Sequence, residues 1–263
     1  MAYILPIERR NKRWWHALNS VSRTSVIRGA TRPIANNVIV NEYPKSGGSW
    51  LSQMLAECLD LPFPRNRLPM LKSCLMQCHI LNPLGMRNVV VVWRDGRDVV
   101  VSYYYHLIVG HEFGEKRQFE RNARLLGISD PTDIQSNLPR FIEGLMNNTV
   151  GPSFTWPDFV SQWHGRPGVV ETKYEDLLLN PTTEVTSIVN SISGRTIEVG
   201  KVNSVVEKYS FKSQSGRSSG NEKQGSFLRK GVAGDWVNHF SPEAIDVFNQ
   251  YAARSLEVLG YSE

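Results

Sequence analysis

The 263-residue sequence predicts an α/β fold whose central sheet is mostly parallel. Continuous apolar runs at 38–40 and 88–93 are typical of strands that are buried on both faces of a sheet, and 169–172 is a third predicted strand. Segments in which apolar residues recur at helical spacing separate these runs and follow the last of them. Because strands that alternate with helices are joined by right-handed crossovers, this order favours parallel pairing.

Prolines mark where the first elements end. The first strand stops at Tyr43-Pro44, and the helix after it stops before Pro62. The run at 88–93 holds four consecutive valines and leads directly into another helix. The predicted helices begin near Ser49 and Gly96 and cover 181–193 and 242–259.

The composition is that of one globular domain spanning 1–263. Hydrophobic residues form 41% of the chain, enough for a large core, and no repeat or long linker divides it. No apolar run reaches the ~18 residues of a transmembrane segment, and the N-terminal apolar run is too short for a signal peptide. Three cysteines argue against a disulfide framework, so we expect a cytoplasmic protein. Cys74, Cys78 and His79 lack a second ligand pair at zinc spacing, so no metal site is predicted.

The positive charge is concentrated in a basic N-terminal arm, residues 1–35. Residues 1–32 hold seven Lys/Arg and one Glu, a balance of +6, so the remaining chain carries −1 of the total +5. A nearly neutral body argues against nucleic-acid binding. Trp14, Leu18 and Val21 share one helical face, which favours peripheral contact with an anionic membrane. The alternative is an arm that packs on the core through Trp14.

The segment 43–50, called the phosphate loop below, joins the first strand to the first long helix. Its two glycines permit close backbone approach to a ligand, and the N–H groups at the helix start favour an anion. Lys45, Ser46 and Ser49 add a cation and two hydroxyl donors. The loop lacks the spacing of a Walker A motif, and the chain has no dinucleotide-binding glycine fingerprint. The alternative is a tight turn that exposes a lysine.

A second group of polar residues recurs every four positions after the valine run. Arg94 lies at the carboxyl end of the strand, where open α/β sheets bind ligands. Asp98, Ser102 and His106 follow on one face of the predicted helix. This spacing indicates a second phosphate seat beside the phosphate loop, and the alternative is an exposed, salt-bridged helix start.

A third group follows a polar segment near the C-terminus. Residues 212–228 are rich in serine and glycine, which predicts a loop that is mobile without ligand. The C-terminal motif, residues 227–236, then carries Arg229 and Lys230 followed by two glycines. Alone it would be a basic surface turn, but together with the other two groups it indicates a third phosphate-binding piece.

The three motifs, in this order, resemble those of the sulfotransferase family that uses 3′-phosphoadenosine 5′-phosphosulfate (PAPS). The phosphate loop is similar to the family's 5′-phosphosulfate loop, the segment 93–104 to its 3′-phosphate motif, and the C-terminal motif to its C-terminal signature. The resemblance spans about 38–259. It implies a three-layer α/β sandwich like that of P-loop nucleotide kinases, PAPS as donor, 3′-phosphoadenosine 5′-phosphate (PAP) as product, and chemistry without a metal.

The resemblance also implies roles for individual residues. Lys45 and the backbone of the phosphate loop would hold the 5′-phosphosulfate, and aromatic residues would frame the adenine. The residues implied at the loop are Lys45, Ser46, Gly47, Gly48, Ser49 and Trp50; those at the 3′-phosphate are Arg94, Ser102, Arg229, Lys230 and Gly231; those near the adenine are Trp50, Tyr174, Ser210 and Phe211; and Phe227 and Leu228 adjoin them.

Two catalytic roles follow from the resemblance and from the chemistry of sulfuryl transfer. Lys45 would neutralise the charge that builds on the leaving phosphate. His79 is the predicted base for a hydroxyl or amine of a small-molecule, carbohydrate or lipid acceptor. His106 competes for this role, but its helical position predicts a place away from the sulfur end of the donor. The acceptor pocket is expected within 107–168, a region that includes Trp156 and Trp163.

The chain departs from the family pattern at two places, and two other functions stay open. Gly48 stands where a threonine is common, and Gln77-Cys78 precedes His79 where many members have a lysine and a threonine. A nucleoside-phosphate kinase would need a Walker A lysine and an acid for magnesium. A nucleotide sensor would keep the phosphate contacts and lack the base.

Overall fold

A computed structural model describes residues 13–65, 67 and 72–262, with the backbone alone for 13–17. The basic residues before Arg13 and the Trp14 side chain, on which the membrane hypothesis depends, lie outside this description. No described helix has the length and apolar composition needed to cross a bilayer.

The centre of the fold is a four-stranded sheet in which every described pairing is parallel. The strands are β1 (Val38–Glu42), β2 (Leu75–Cys78), β3 (Val89–Trp93) and β4 (Val169–Lys173). Their order across the sheet is β2-β1-β3-β4, so β1 and β3 are internal and the apolar runs that predicted them are buried on both faces. The mostly parallel sheet predicted from the sequence is confirmed, whereas the edge strand β2 was not predicted.

Eleven α-helices surround the sheet in the described part of the chain, and four of them begin where helices were predicted. The helix that begins at Gly96 is shorter than expected, because it passes into a π-helical turn at Tyr105–Val109. The helices are α1 (Arg13–Ile27), α2 (Gly48–Cys58), α3 (Gly96–Tyr104), α4 (Lys116–Leu125), α5 (Ile134–Met146), α6 (Trp156–Trp163), α7 (Tyr174–Leu179), α8 (Pro181–Ser193), α9 (Val199–Lys208), α10 (Phe211–Ser215) and α11 (Pro242–Val258).

Two apolar cores lie on opposite faces of the sheet. Alternate residues of one strand serve different cores, as Val91 and Val92 of β3 show. The first core contains side chains of α3, α5, α6 and α11, and the second contains side chains of α2, α8 and α9. Helix, sheet and helix therefore form three layers, which confirms the predicted α/β sandwich.

The described part of the basic arm packs against the body of the protein. Val26 is buried near the end of α1. Arg23 donates a hydrogen bond to the carbonyl of Gln77 (2.9 Å), and Arg28 donates one to the carbonyl of Leu84 (2.6 Å). These arginines thus attach α1 beside the edge strand β2, and packing of the arm through Trp14 stays a prediction.

The segment predicted to be a mobile loop, 212–228, begins inside helix α10. Arg217 then donates hydrogen bonds to the carbonyls of Asn221, Leu228 and Arg229. The carboxylate of Glu112 accepts from the N–H of Phe227 at 2.9 Å. Four residues of the predicted loop are therefore helical, and its mobility without ligand stays a prediction.

Candidate active site

The candidate site lies at the carboxyl edge of the sheet, where all four strands deliver a polar or aromatic residue. Lys45 follows β1, His79 follows β2, Arg94 follows β3 and Tyr174 follows β4. Parallel strands end at the same edge, so residues far apart in the sequence meet there. Ligands of open α/β sheets bind in this position.

The phosphate loop turns sharply between β1 and α2. Lys45 and Gly47 have φ angles of 79° and 101°, the left-handed region that glycine adopts without strain. A Cβ on Gly47 would also lie 2.6 Å from a ring carbon of Tyr174. Ser46 has a buried hydroxyl with no hydrogen-bond partner in the described protein. The loop therefore holds an unpartnered hydroxyl next to the start of a helix.

Lys45 is a half-buried cation in this loop. Its ammonium lies 4.5 Å from the ring centroid of Phe227. Burial lowers the pKa of Lys45 to about 8; the charges of Arg94 and Arg229 act in the same direction, and Glu42 opposes them. Three cations thus converge on one small region, which favours an anionic ligand.

Arg94 connects the phosphate loop to the C-terminal motif. Its guanidinium donates to the carbonyl oxygens of Lys45 and Val232, both at 3.2 Å. It lies 4.4 Å from the ring centroid of Tyr174 and 3.6 Å from the carboxylate of Asp98. Its Nε atom is buried without a partner among the described residues. Arg94 is therefore fixed in place and retains a donor for a ligand.

Two buried aspartates hold the C-terminal motif. Asp98 of α3 accepts hydrogen bonds from the backbone N–H groups of Gly234 (2.7 Å) and Trp236 (3.0 Å). Asp235 accepts from Arg229 at 2.6 Å and from Lys230. Burial alone would raise the pKa of Asp235, but the hydrogen bonds from these two cations lower it well below its ordinary value.

The aromatic residues implied at the adenine come together beside α2. The rings of Trp50 and Tyr174 meet edge to face with centroids 6.0 Å apart. The Trp50 indole donates to the carbonyl of Tyr209 at 2.8 Å. Ser210 and Phe211 follow this contact directly in the chain. Ser210 caps α10, and the ring of Phe211 lies against Gly231, where a Cβ would clash with it.

Several of the predicted residues surround a small cavity beside Lys45. Phe227 lines it and Leu228 does not, and both side chains are 38% exposed. The lining residues named by the sequence analysis are Lys45, Ser102, His106, Phe227 and Arg229.

His106 lines the same cavity as Lys45, Ser102 and Arg229, and its separation from the sulfur end of the donor stays a prediction. His106 lies in the π-helical turn that follows α3. Its ring stacks on that of His111 with centroids 4.5 Å apart, and its Nδ1 is buried without a described partner. Burial, with smaller contributions from Lys45 and His111, lowers the pKa of His106 to about 3. The ring is therefore neutral at neutral pH.

His79 follows a strand rather than the loop expected from the sequence. Its side chain is exposed, and its Nδ1 lies 3.0 Å from the backbone carbonyl of Glu42. A carbonyl only accepts hydrogen bonds, so Nδ1 carries the proton in this contact. In the neutral ring the lone pair is then on Nε2, the form required of a base.

Sequence reasoning missed a buried acid at the base of the phosphate loop. Glu42, 3% exposed, accepts hydrogen bonds from the N–H of Gly48 and from the side-chain amide of Gln77 (2.7 Å). Gln77 also bonds to the hydroxyl of Ser49 at 2.9–3.0 Å. The available signal was an acid at the end of an apolar strand, directly before Tyr43.

The predicted acceptor-pocket residues Trp156 and Trp163 lie elsewhere. They are 3% and 0% exposed inside the first core, so they cannot line an open pocket. Within 107–168, Gly110 and His111 line the cavity beside Lys45. Among the residues that the structure describes, no cluster of three His, Cys, Asp or Glu is placed to hold a metal.

The fold and the site define an α/β protein in which a glycine-containing loop and converging cations lie at the carboxyl edge of a parallel sheet. A model of the sulfotransferase domain matches residues 75–260. The chain therefore belongs to the sulfotransferase family.

Curated relatives and solved structures agree with this assignment. Sulfotransferase 1A1 of Canis lupus familiaris is 26% identical over 276 aligned positions, covering 86% of this chain and 85% of the relative. Sulfotransferase 1E1 of Bos taurus is 23% identical, with 84% of each covered. Mouse sulfotransferase SULT7A1 complexed with PAP has a TM-score of 0.60 at 14% identity, covering 92% of this chain and 96% of that one. Retinol dehydratase in complex with androsterone and inactive cofactor PAP has a TM-score of 0.58 at 17% identity, covering 84% and 80%.

Proposed function

We propose that this sulfotransferase transfers the sulfuryl group of PAPS to a hydroxyl or amine of a small-molecule, carbohydrate or lipid acceptor and releases PAP. The observation that carries the proposal is the convergence of three separate cation-bearing segments at one edge of the sheet. Similar structures complexed with PAP support the choice of donor.

The residues present fit a nucleotide with two anionic groups. Ser46 Oγ and Arg94 Nε are buried polar atoms that lack a partner in the described protein, as expected of groups that await a ligand. Lys45 with the backbone of the phosphate loop would hold the 5′-phosphosulfate. Arg94, Ser102 and the 229–231 segment would hold the 3′-phosphate, and the aromatic rings beside α2 would contact the adenine.

The chemistry that the donor supplies is a sulfuryl group on a phosphate leaving group. Lys45 is placed to neutralise the charge that develops on that phosphate, from a site where burial strengthens electrostatic interactions. Replacing Lys45 by alanine should lower turnover by ~10²–10³, the usual contribution of one such group, while PAP still binds.

His79 is the proposed base for the acceptor. The Glu42 carbonyl orients its ring through Nδ1 and leaves Nε2 to accept a proton. Its position at the carboxyl end of β2, beside the end of β1, places it at the same edge as the phosphate loop. His79 therefore combines exposure, orientation and the correct tautomer.

The proposed function is tested by incubating the protein with labelled donors and extracted cellular acceptors. Label that moves from PAPS to an acceptor supports it, and the Lys45→Ala variant should show a large loss in the same assay. Use of the γ-phosphate of ATP would instead identify a kinase. PAP binding without any transfer would identify a nucleotide sensor.

A further inference from the structure

Glu42 directly precedes the phosphate loop, and its buried carboxylate bonds to the backbone of that loop. It is the last residue of β1, and its side chain turns toward the start of α2. One carboxylate oxygen accepts the N–H of Gly48, and the other accepts the amide of Gln77. An acid in a loop that is otherwise surrounded by cations needs an explanation beyond packing.

The loop has space for this carboxylate because residue 48 is glycine. A Cβ on Gly48 would lie 2.5 Å from Glu42 Cδ and 2.7 Å from its Oε1, closer than atoms without a bond approach each other. Gln77 and Ser49 extend the hydrogen-bond network around the acid. The glycine at position 48 and the glutamate at position 42 thus form one structural unit.

The start of a helix attracts an anion because its first N–H groups have no partner within the helix. In this structure Glu42 supplies that anion at the start of α2. An incoming 5′-phosphosulfate or 5′-phosphate group would need the same N–H group and would meet the charge of the carboxylate nearby.

We propose that Glu42 is a built-in competitor for the 5′-anion seat of the phosphate loop, so that donor and product bind by displacing its carboxylate. This inference rests on the proposed use of PAPS and concerns the same site. Glu42 is then a specificity-determining residue, because it weakens only those ligands that carry a 5′ anion.

The test compares two nucleotides on wild type and Glu42→Gln by calorimetry. Glutamine keeps the shape and the acceptor oxygen but removes the charge. PAP carries both phosphates, whereas adenosine 3′-phosphate keeps the 3′-phosphate and the adenine but has no 5′ anion. Glu171→Gln, at an acid of β4 that bonds to Trp93 and Gly165, is the matched control.

We expect Glu42→Gln to bind PAP roughly tenfold more tightly, the size of one charged hydrogen bond. Adenosine 3′-phosphate should bind equally to both proteins, and the control should match wild type for both ligands. Thermal stability should fall in Glu42→Gln, because the helix loses its charged cap. A residue with a purely structural role would lower stability without tightening PAP binding.

Unchanged or weaker PAP binding by Glu42→Gln, with normal binding of adenosine 3′-phosphate, would overturn the inference. Equal tightening for both nucleotides would overturn it as well, because the effect would not depend on the 5′ anion. Failure of folded wild type to bind either nucleotide would instead refute the proposed donor, a distinct result.

Discussion

The pH dependence of donor use provides a detailed test of Lys45, whose pKa lies within the pH range of an ordinary assay. Burial lowers this pKa from 10.5 to about 8 in the donor-free protein. The charge of Glu42 raises it, and the charges of Arg94 and Arg229 lower it. The cation is the form below that pKa, so the protonated fraction falls from about nine-tenths at pH 7 to about one-tenth at pH 9.

The value of kcat/KM for PAPS reports groups of the free enzyme, so it should fall about tenfold between pH 7 and pH 9. In Lys45→Arg the guanidinium stays charged throughout this range, so the decline should disappear even if the overall rate is lower. Lys201→Arg is the matched control, because Lys201 pairs with Asp60 at the surface (2.7 Å). It should keep the decline of wild type.

The reasoning would be refuted by a Lys45→Arg variant that shows the same decline as wild type. In that case another group would titrate near pH 8. A wild-type profile without any decline up to pH 9 would contradict the lowered pKa directly.

Three further predictions concern binding, packing and mobility. Arg94→Ala should weaken PAP binding in calorimetry but hardly change that of adenosine 5′-phosphate, and equal losses would indicate a different seat. Gly48→Ala should lower the melting temperature in wild type and much less in a Glu42→Ala background, where the clash is absent; additive losses would contradict the proposed contact. Residues 212–228 should gain protection from hydrogen exchange when PAP binds, and unchanged protection would show that the segment does not close over the nucleotide.

The fold was predictable where the local signal was strong. The valine run at 88–93 could hardly be anything but a buried strand, and α8 matches its predicted bounds. The edge strand β2 has four residues, Leu-Met-Gln-Cys, without β-branched side chains, so its pairing with β1 decides its conformation. The π-helical turn after α3 likewise has no sequence signal of the kind that predicts a regular helix.

The site was predictable as a set of motifs and less so as a set of distances. The order of the motifs indicated that Lys45 and Arg94 converge, and the hydrogen bond between them agrees. Ser102 and His106 line one cavity, as their four-residue spacing indicated, and Lys45 of the phosphate loop lines it with them. Glu42 was missed because strand patterns place its neighbours in the core without showing which way the last side chain turns. Trp156 was assigned to a pocket on composition, which does not distinguish a core residue from a lining residue.

The sharpest measurement of the proposed chemistry is single-turnover transfer from PAPS by His79→Ala and His106→Ala, each paired with its dissociation constant for PAP. The account predicts that His79→Ala loses ~10²–10⁴ in rate, the usual contribution of a positioned base, with PAP affinity nearly intact. His106→Ala should change mainly stability or PAP affinity. Full activity in the His79 variant, with a His106 variant that is inactive yet folded and able to bind PAP, would contradict the assignment of the base.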